Sequence, residues 1–331
     1  MRRIVFLVML VLGFTSICSP AKADFYVIAA GGRLIGTEIR SLPYTITSPG
    51  FYYIKQNLTS IGDGIIVESD DVTIDLMGYS LIGQGSGSDS GIYMRDRRNV
   101  EIRNGTIKEF GSHGIYETDN TGKAHHRIIS VRSLSNGDSG IFLNGSGHLV
   151  KDCTVAENGS FGIYVLNGST VTGNTASHNQ DHGIVAYTGC TVTVNTTYNN
   201  QGIGISVVYG GSVITNTAYL NQRSGIRATN GSTVTGNTVR SNNQSNNADY
   251  TGIWAGTGCL VKNNNVTSNE QNNIYVYGSK NSIEENLVTY SNNGIYFRII
   301  GNFYANNRAS GNSTNYNDVP GNQNGGGNVE F

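Results

Sequence analysis

The sequence predicts an all-β protein, a single-stranded right-handed parallel β-helix of about ten turns of about 21 residues. The main observation is a recurring dipeptide, glycine or asparagine followed by isoleucine. Five of the ten intervals between copies are 21 residues, and the others add a short insertion. Two further observations are an apolar and polar alternation within units and an alignment of asparagines between units. The copies begin at Gly64, Gly91, Gly114, Gly140, Gly162, Gly183, Gly204, Gly225, Gly252, Asn273 and Gly294.

Each unit has the pattern of short strands. In residues 162–182, Ile163 and Val165 alternate with Tyr164 and Leu166, which is typical of a strand with one face inward. Three short strands and three turns fit into 21 residues, whereas the crossover helix of an ordinary parallel sheet does not. We therefore expect each strand to pair with its equivalent one turn along, and the stacked units to bury their isoleucines together.

The corners of the coil are predicted from two columns of asparagine. An amide side chain bonds to the same amide one turn away and tolerates left-handed backbone angles, and both properties suit a corner. Cys190 and Cys259 share a column but lie three turns apart, about 14 Å, which is too far for a disulfide. We therefore expect free, buried thiols. The columns are Asn174, Asn195, Asn216, Asn237 and Asn264, and Asn158, Asn179, Asn200, Asn221, Asn242 and Asn269.

The ends of the chain differ from the middle. Residues 1–23 are predicted to be an export signal, with Arg2 and Arg3 before an apolar run and cleavage before Asp24. Residues 24–63 are predicted to form an N-terminal cap, residues 64–308 the β-helix, and residues 309–331 an Asn- and Gly-rich tail. The protein is expected to be secreted, periplasmic or at the cell surface, without membrane insertion after signal removal.

The net charge argues against one class of partner, nucleic acid. The formal net charge is −1, and it becomes −4 when Arg2, Arg3 and Lys22 leave with the signal. A nucleic-acid partner usually requires a basic surface, so none is predicted. No cofactor is predicted either, and the sequence leaves open whether calcium is bound.

Units such as GIYVLNGSTVTGNTASHN and GIRATNGSTVTGNTVRSNN resemble the right-handed β-helix repeat superfamily. That group includes pectate lyase-like enzymes, mannuronan C-5 epimerases and NosD-like periplasmic proteins. The resemblance covers residues 40–308 and implies the fold and a polysaccharide partner, for which a uronate-containing polymer is one candidate. The chain has no DPHD-type epimerase motif and no aspartate cluster of the pectate lyase type. The resemblance therefore assigns no catalytic residue.

An outward column between the two inward ones is rich in aromatic residues. Exposed rings on a flat sheet stack against sugar faces, so we expect this column to bind the glycan. The other interpretation is that aromatic residues simply pack well across strands. The predicted substrate-binding residues are Tyr93, Tyr116, Phe142, Tyr164, Arg227, Trp254, Tyr275 and Tyr296.

A charged cluster supplies the candidate catalytic residues, which are Arg98, Lys123, His126 and His148. An insertion at residues 117–127 is expected to bulge beside the aromatic column, and Arg98, His126 and His148 are expected on successive turns. Arginine neutralises a uronate carboxylate, and a neutral histidine or lysine then removes the acidified proton. Such a site gives a lyase or an epimerase. The other interpretation is a solvated, charged loop, and no third ligand is spaced to make the histidines a metal site.

Two weaker patterns remain. Asp89, Asp138 and Asp181 recur on alternate turns, about 10 Å apart. This spacing suits the paired carboxylates of an inverting glycoside hydrolase. The other interpretation is that they are ordinary turn residues. Repeated threonines such as Thr170 and Thr172 suit an ice-binding array. The favoured function is polysaccharide lyase or epimerase. The alternative is a non-catalytic carbohydrate-binding, adhesion or surface-structural protein, with an accessory role in metal-centre assembly as a further possibility.

Overall fold

The computed structural model describes residues 36–118, 124–244 and 250–331, together with two short strands nearer the N-terminus. Those two strands, Ile28–Ala29 and Arg33–Leu34, pair antiparallel and belong to a separate unit that ends at Ile35. The second unit, Gly36–Phe331, contains the repeat. The predicted export signal lies outside the described residues.

The first strand of each turn joins a parallel sheet of 13 strands, which we call the first sheet. Ile163 pairs with Ile184, and Ile184 pairs with Ile205, so the register advances by one 21-residue unit per turn. The predicted parallel β-helix is therefore confirmed, and pairing extends on both sides of residues 64–308. The strands are Tyr44–Ile46, Ile65–Val67, Ile92–Arg95, Ile115–Thr118, Ile141–Leu143, Ile163–Val165, Ile184–Ala186, Ile205–Tyr209, Ile226–Asn230, Ile253–Ala255, Asn272–Val276, Asn293–Phe297 and Thr314–Asn317.

The second strands of the turns also stack in parallel. Two of them, Glu101–Lys108 and Arg127–Leu134, continue through the third position without a break. The other second-position strands are Thr37–Glu38, Gly50–Tyr53, Val72–Asp75, Leu149–Lys151, Thr170–Thr172, Thr191–Thr193, Ser212–Ile214, Thr233–Thr235, Leu260–Lys262, Ser282–Glu284, Phe303–Ala305 and Gln323–Asn324.

The third strands complete each turn. They pair in the same parallel manner, as when Thr175 pairs with Thr196 and Thr196 with Thr217. These strands are Leu58–Thr59, Ser80–Ile82, Thr154–Ala156, Thr175–Ser177, Thr196–Tyr198, Thr217–Tyr219, Thr238–Arg240, Asn265–Thr267, Leu287–Thr289, Arg308–Ser310 and Val329–Glu330.

The core lies along the axis of the coil. The isoleucine column from Ile65 to Ile295 is fully buried, and Val171 and Val192 add the inward residues of the second strands. One unit alone cannot enclose these side chains, so each turn depends on the turns above and below it. Cys153, Cys190 and Cys259 are buried and free, which confirms the prediction for the thiols.

The asparagine columns form amide ladders, as predicted. Asn195 Nδ2 donates to Asn216 Oδ1 over 3.0 Å, and Asn200 Nδ2 donates to Asn221 Oδ1 over 2.9 Å. Each ladder oxygen also accepts the backbone N–H of the previous ladder residue, as Asn216 Oδ1 does from Asn195 N at 2.8 Å. Buried amides are thus saturated by partners of their own kind.

The left-handed backbone angles are not on the ladder asparagines, contrary to the expectation. They lie on the residue immediately before, such as Val194 with φ 57° and Thr215 with φ 55°. One left-handed residue turns the chain by a corner and points its own side chain outward, and the following asparagine then points inward to join its ladder.

Candidate functional site

The outer face of the first sheet carries the predicted aromatic column. The strand register aligns Tyr93 with Tyr116, and Arg227 with Trp254. Val185, Ser206 and Arg227 interrupt the rings at three successive turns in the middle. The column therefore consists of two aromatic segments, one nearer each end of the coil.

The N-terminal segment stacks on itself. The rings of Phe142 and Tyr164 lie 4.3 Å apart and almost parallel, and those of Tyr93 and Tyr116 lie 5.7 Å apart. His113 covers the side of this stack, with its ring 4.2 Å from that of Tyr116. Burial raises the pKa of the Tyr164 phenol. Because these ring faces contact one another, cross-strand packing accounts for much of this segment.

The C-terminal segment forms a different arrangement, which we call the cation–π stack. The guanidinium of Arg227 lies 4.9 Å from the Trp254 ring, and that of Arg298 lies 4.3 Å from the Tyr277 ring. The Trp254 and Tyr277 rings are 4.9 Å apart. Two arginines on different turns thus enclose one aromatic pair, which fixes both cations on the outer face of the sheet.

A cleft of about 460 Å³ opens beside the cation–π stack. None of the described residues that line it carries a carboxylate. Another guanidinium, that of Arg223, lies 5.5 Å from the ring of the lining residue Tyr250. The cleft is therefore basic and aromatic at once. Its lining residues are Ile203, Ser224, Arg227, Tyr250, Trp254, Tyr275, Tyr277 and Arg298.

A histidine–aspartate pair lies at the N-terminal edge of this cleft. His182 Nδ1 is 2.5 Å from Asp181 Oδ1, and the backbone N–H of the lining residue Ile203 is 3.3 Å from the same nitrogen. Both side chains lean over Gly202, where any Cβ would collide with them. Burial lowers the pKa of His182; Asp181 opposes this effect, whereas Arg223 and Arg227 add to it.

The two predicted catalytic histidines are not on the surface. His126 is 0% exposed and His148 is 1% exposed, and their rings stack 5.4 Å apart. Val100 N donates to His126 Nδ1 and His126 N donates to His148 Nδ1, while His148 Nε2 contacts Asn144 O. They are thus close together as expected, but they occupy a third corner ladder rather than an exposed loop.

Of the other two predicted catalytic residues, the structure describes Arg98. Arg98 is exposed, and its backbone N–H donates to Asp70 Oδ1 over 3.0 Å. Lys123 lies outside the described residues. The neighbouring residues Arg95 and Arg97 line a second cleft of about 600 Å³, which also contains Glu68 and Asp96. Its charges are mixed, so it is less selective for an anion than the cleft at Trp254.

The two weaker patterns are in the places expected from the repeat. Asp138 N donates to Ser112 O, and Ser112 N donates to Asp89 O, so Asp89 and Asp138 occupy alternate turns. Thr170 pairs with Thr191, and Thr193 pairs with Ile214, which interrupts the threonine array. Across the described ranges, no group of three His, Cys, Asp or Glu side chains is arranged to hold a metal ion.

Tyr277, Arg298 and His182 were not among the site residues predicted from the sequence. Tyr277 and Arg298 each lie two residues after a member of the aromatic column and directly follow the strands Asn272–Val276 and Asn293–Phe297. Because alternate residues of an extended chain point the same way, this spacing was an available signal. His182 precedes a unit's opening glycine and resembles a turn residue. Its position at the cleft depends on the turn that follows, which sequence spacing alone does not show.

The fold and this outer face define a parallel β-helix protein with a basic, aromatic cleft. The family described as "Right handed beta helix region" matches residues 54–195 and 90–244, together more than half of the chain. The chain belongs to this family. No curated protein matches the sequence. Within the described residues, no helix has the length and apolar character needed to cross a membrane.

Several solved structures share the fold. The A-module of the Azotobacter vinelandii mannuronan C-5 epimerase AlgE4 is 17% identical, with a TM-score of 0.66 over 83% of this chain and 90% of that one. The periplasmic alginate epimerase AlgG is 16% identical, with a TM-score of 0.58 over 86% and 79%. A Dettilon tailspike protein is 15% identical, with a TM-score of 0.56 over 81% and 62%.

Proposed function

We propose that this protein binds an acidic polysaccharide in the cleft beside the cation–π stack. The observation that carries the proposal is a cleft with Arg227 and Arg298 fixed against Trp254 and Tyr277 and with no carboxylate among its described lining residues. The alginate and mannuronan epimerases that share the fold act, by name, on acidic polysaccharides, which supports this class of ligand.

The chemistry of the cleft matches that of a charged sugar chain. Guanidinium groups bind carboxylate or sulfate groups through paired hydrogen bonds, and a guanidinium already held on an aromatic ring loses little freedom when it does so. The indole of Trp254 and the phenol of Tyr275 supply apolar faces with polar edges, as sugar rings require. The cleft therefore offers charge recognition and stacking within one volume.

The test is gel retardation of the purified protein in pectate, alginate or dextran sulfate, with neutral dextran as the reference polymer. We expect Arg227→Gln and Trp254→Ala each to weaken retardation by the acidic polymers about tenfold, equivalent to about 1.4 kcal/mol of binding free energy. The matched control is Arg240→Gln, because Arg240 lies 4.6 Å from the Tyr219 ring on another face. Equal retardation of all variants would contradict the proposal.

A second candidate function is proton abstraction from the bound sugar, giving a lyase or an epimerase. The specific observation is the His182–Asp181 pair at the edge of the cleft, near Arg223 and Arg227. A neutral imidazole takes the proton α to a uronate carboxylate while an arginine neutralises that carboxylate. The electron pair of the broken C–H bond forms a double bond when the glycosidic oxygen departs with the electrons of its own C–O bond and takes a proton from the imidazolium or from water, which gives an unsaturated product. Delivery of a proton from water to the other face of the same carbon gives the epimer instead.

Deuterium uptake from heavy water into the polymer detects reversible proton abstraction, and ultraviolet absorbance detects the unsaturated product. We expect His182→Asn to abolish either signal, because asparagine accepts a hydrogen bond but is not a base. His178→Asn is the control, since His178 contacts Tyr198 on another face. If the wild-type protein binds the polymer but produces neither signal, the non-catalytic binding function stands and this second candidate fails.

We also propose that the protein is exported and acts in the periplasm, at the cell surface or outside the cell. The basic and apolar pattern of residues 1–23 supports export. Terminal sequencing of the protein recovered outside the cytoplasm tests this, with Asp24 as the expected first residue. A first residue at Met1 would overturn it.

A further inference from the structure

The edge of the cleft contains a titratable group whose position is fixed by the coil. Asp181, Gly202 and Arg223 follow one another in a column, because Gly202 N donates to Asp181 O and Arg223 N donates to Gly202 O. Since Gly202 has no side chain, the imidazole of His182 and the carboxylate of Asp181 lie across it, toward the turn that carries Arg223. The pair therefore extends toward the turn of Arg223, whose guanidinium lies 5.5 Å from the ring of the lining residue Tyr250.

The surroundings of His182 decide its charge. On the preceding turn it meets the ring of Phe161 edge to face at 5.7 Å, and that ring in turn contacts Tyr164. On its own turn the charged neighbour is Asp181, and the following turn contributes the backbone N–H of Ile203. Beyond it, Arg223 and Arg227 both disfavour a positive charge on the imidazole.

An anionic ligand changes this balance. Burial and the two arginines together lower the pKa of His182, although Asp181 opposes them, so the imidazole of the unliganded protein is neutral at neutral pH. An anion that pairs with Arg227 cancels part of the positive field at His182. The protonated imidazole is then favoured more in the complex than in the free protein, and proton binding and ligand binding become linked.

We propose that His182 makes the cleft a pH-dependent anion site, in which binding of an acidic polysaccharide takes up a proton and its affinity rises as the pH falls. This inference rests on the proposed function, because it requires an acidic polymer in the cleft. The direction follows from the linkage: a group that gains proton affinity in the complex strengthens binding at the lower pH.

The test uses dextran sulfate, because sulfate esters do not titrate in the range in which histidine does. We expect affinity to increase about tenfold from about pH 8 to about pH 5, which corresponds to a rise of about one unit in the pKa of His182 on binding. Calorimetry in two buffers of different ionisation enthalpy is expected to show proton uptake. Circular dichroism at both pH values confirms that the fold is retained.

The variant that removes the effect is His182→Asn. Asparagine keeps an acceptor for the backbone N–H of Ile203, as Asp63 Oδ1 does for Ser90 N in an equivalent position. We expect this variant to bind with little pH dependence, while His178→Asn retains the wild-type dependence. Binding that is independent of pH in the wild type, or equally dependent in His182→Asn, overturns the inference alone. No binding at any pH overturns the proposed function as well.

Discussion

Val194 is a β-branched residue in a left-handed backbone conformation. Its φ is 57°, and its side chain is 60% exposed at a corner of the coil. The equivalent residues one turn before and two turns after are Gly173 and Gly236, and Asn263 follows at the third turn. Glycine and asparagine tolerate this conformation, whereas valine is strained in it. The strain is local, because the side chain points away from the core.

Replacing this valine is therefore expected to stabilise the protein. Val194→Asn should raise the free energy of unfolding by about 1 kcal/mol, because the left-handed conformation costs an ordinary residue about 1–2 kcal/mol. Thermal and denaturant unfolding measure the change. Gly236→Val is the reverse experiment, since a Cβ there meets nothing closer than 3.6 Å and the cost is conformational. Stabilisation by both substitutions would contradict the explanation.

Asp75 is a fully buried carboxylate near the start of the coil. Arg103 Nε donates to its Oδ2 over 2.8 Å, and Met77 N donates to its Oδ1 over the same distance. Arg103 also pairs with Glu101, which in turn pairs with Arg127. The group thus links three successive turns through ion pairs.

Removal of this carboxylate is expected to be costly. Asp75→Ala should lower the free energy of unfolding by about 3 kcal/mol, because one partner of a buried ion pair is lost. Asp152→Asn is the control, since its pair with Lys151 spans 3.5 Å at the surface and exposed pairs contribute little. Equal losses in the two variants, measured by denaturant unfolding, would show that burial of Asp75 does not matter.

The amide ladders act at the scale of the element, where each rung serves its neighbours. Asn216 Nδ2 donates to Asn237 Oδ1 and to Val192 O, and its Oδ1 accepts two bonds from Asn195. One side chain therefore satisfies groups on the turns to either side. A buried polar group that loses its partner costs about 1–3 kcal/mol.

Interruption of a ladder is thus expected to destabilise more than one turn. Asn216→Leu should lower the free energy of unfolding by about 3 kcal/mol or more, because Asn195 loses the acceptor for both its N–H and its amide. Asn216→Asp should also be destabilised at neutral pH, where its charge is buried, and should recover as the pH falls and the carboxyl becomes protonated. Unfolding measured from neutral to acidic pH checks both variants.

Much of the fold could be predicted from the sequence because the repeat period is visible in the spacing of its residues. The isoleucine columns, the amide ladders and the free thiols follow from residues that recur at 21-residue intervals. The candidate site was less accessible. The sequence predicted the aromatic column from Tyr93 to Tyr296. It does not distinguish rings that stack on each other, as those of Phe142 and Tyr164 do, from rings that border a cleft.

The histidines also show which features the sequence predicts and which it does not. The insertion that contains His126 predicted an exposed loop. His126 is instead back in register with the preceding turn and forms part of a corner ladder. How much of an insertion leaves the coil depends on where the next strand can pair, which is a property of the neighbouring turns. For the same reason no motif marks His182, whose ring accepts the backbone N–H of the cleft residue Ile203.

At the scale of the whole molecule, the coil is a stack of nearly interchangeable turns. Each turn pairs with the turn before and the turn after it, and the register repeats from Ile141 to Ile226 without a break. Stability in such a structure is close to a sum of unit and interface contributions. The number of turns is therefore less important for folding than the alignment of each turn with its neighbours.

Deletion of one complete turn is accordingly expected to preserve the fold. Removing residues 162–182 should leave a strand-rich circular dichroism spectrum and a cooperative melting transition, because residues 183–203 then pair with the turn before the deletion in the same register. The variant should still bind acidic polysaccharide, since the residues of the cation–π stack are retained. Its binding should lose pH dependence together with His182.

The control for this deletion removes a segment that is not a whole repeat unit. Removal of residues 162–171, about half a turn, places inward residues on the outside and breaks both amide ladders. It should abolish the cooperative transition. A half-turn deletion that folds as well as the full-turn deletion would show that register does not govern this coil.

The sequence by itself determined the period, the residues that face the axis and the residues that form the corners, because these depend on spacing along the chain. The tertiary structure alone decided which outward side chains meet. Arg227 and Arg298 enclose Trp254 and Tyr277 only after successive turns have stacked at the strand spacing of about 4.8 Å. Contacts between turns depend on side-chain direction and local space, and neither is encoded by the repeat.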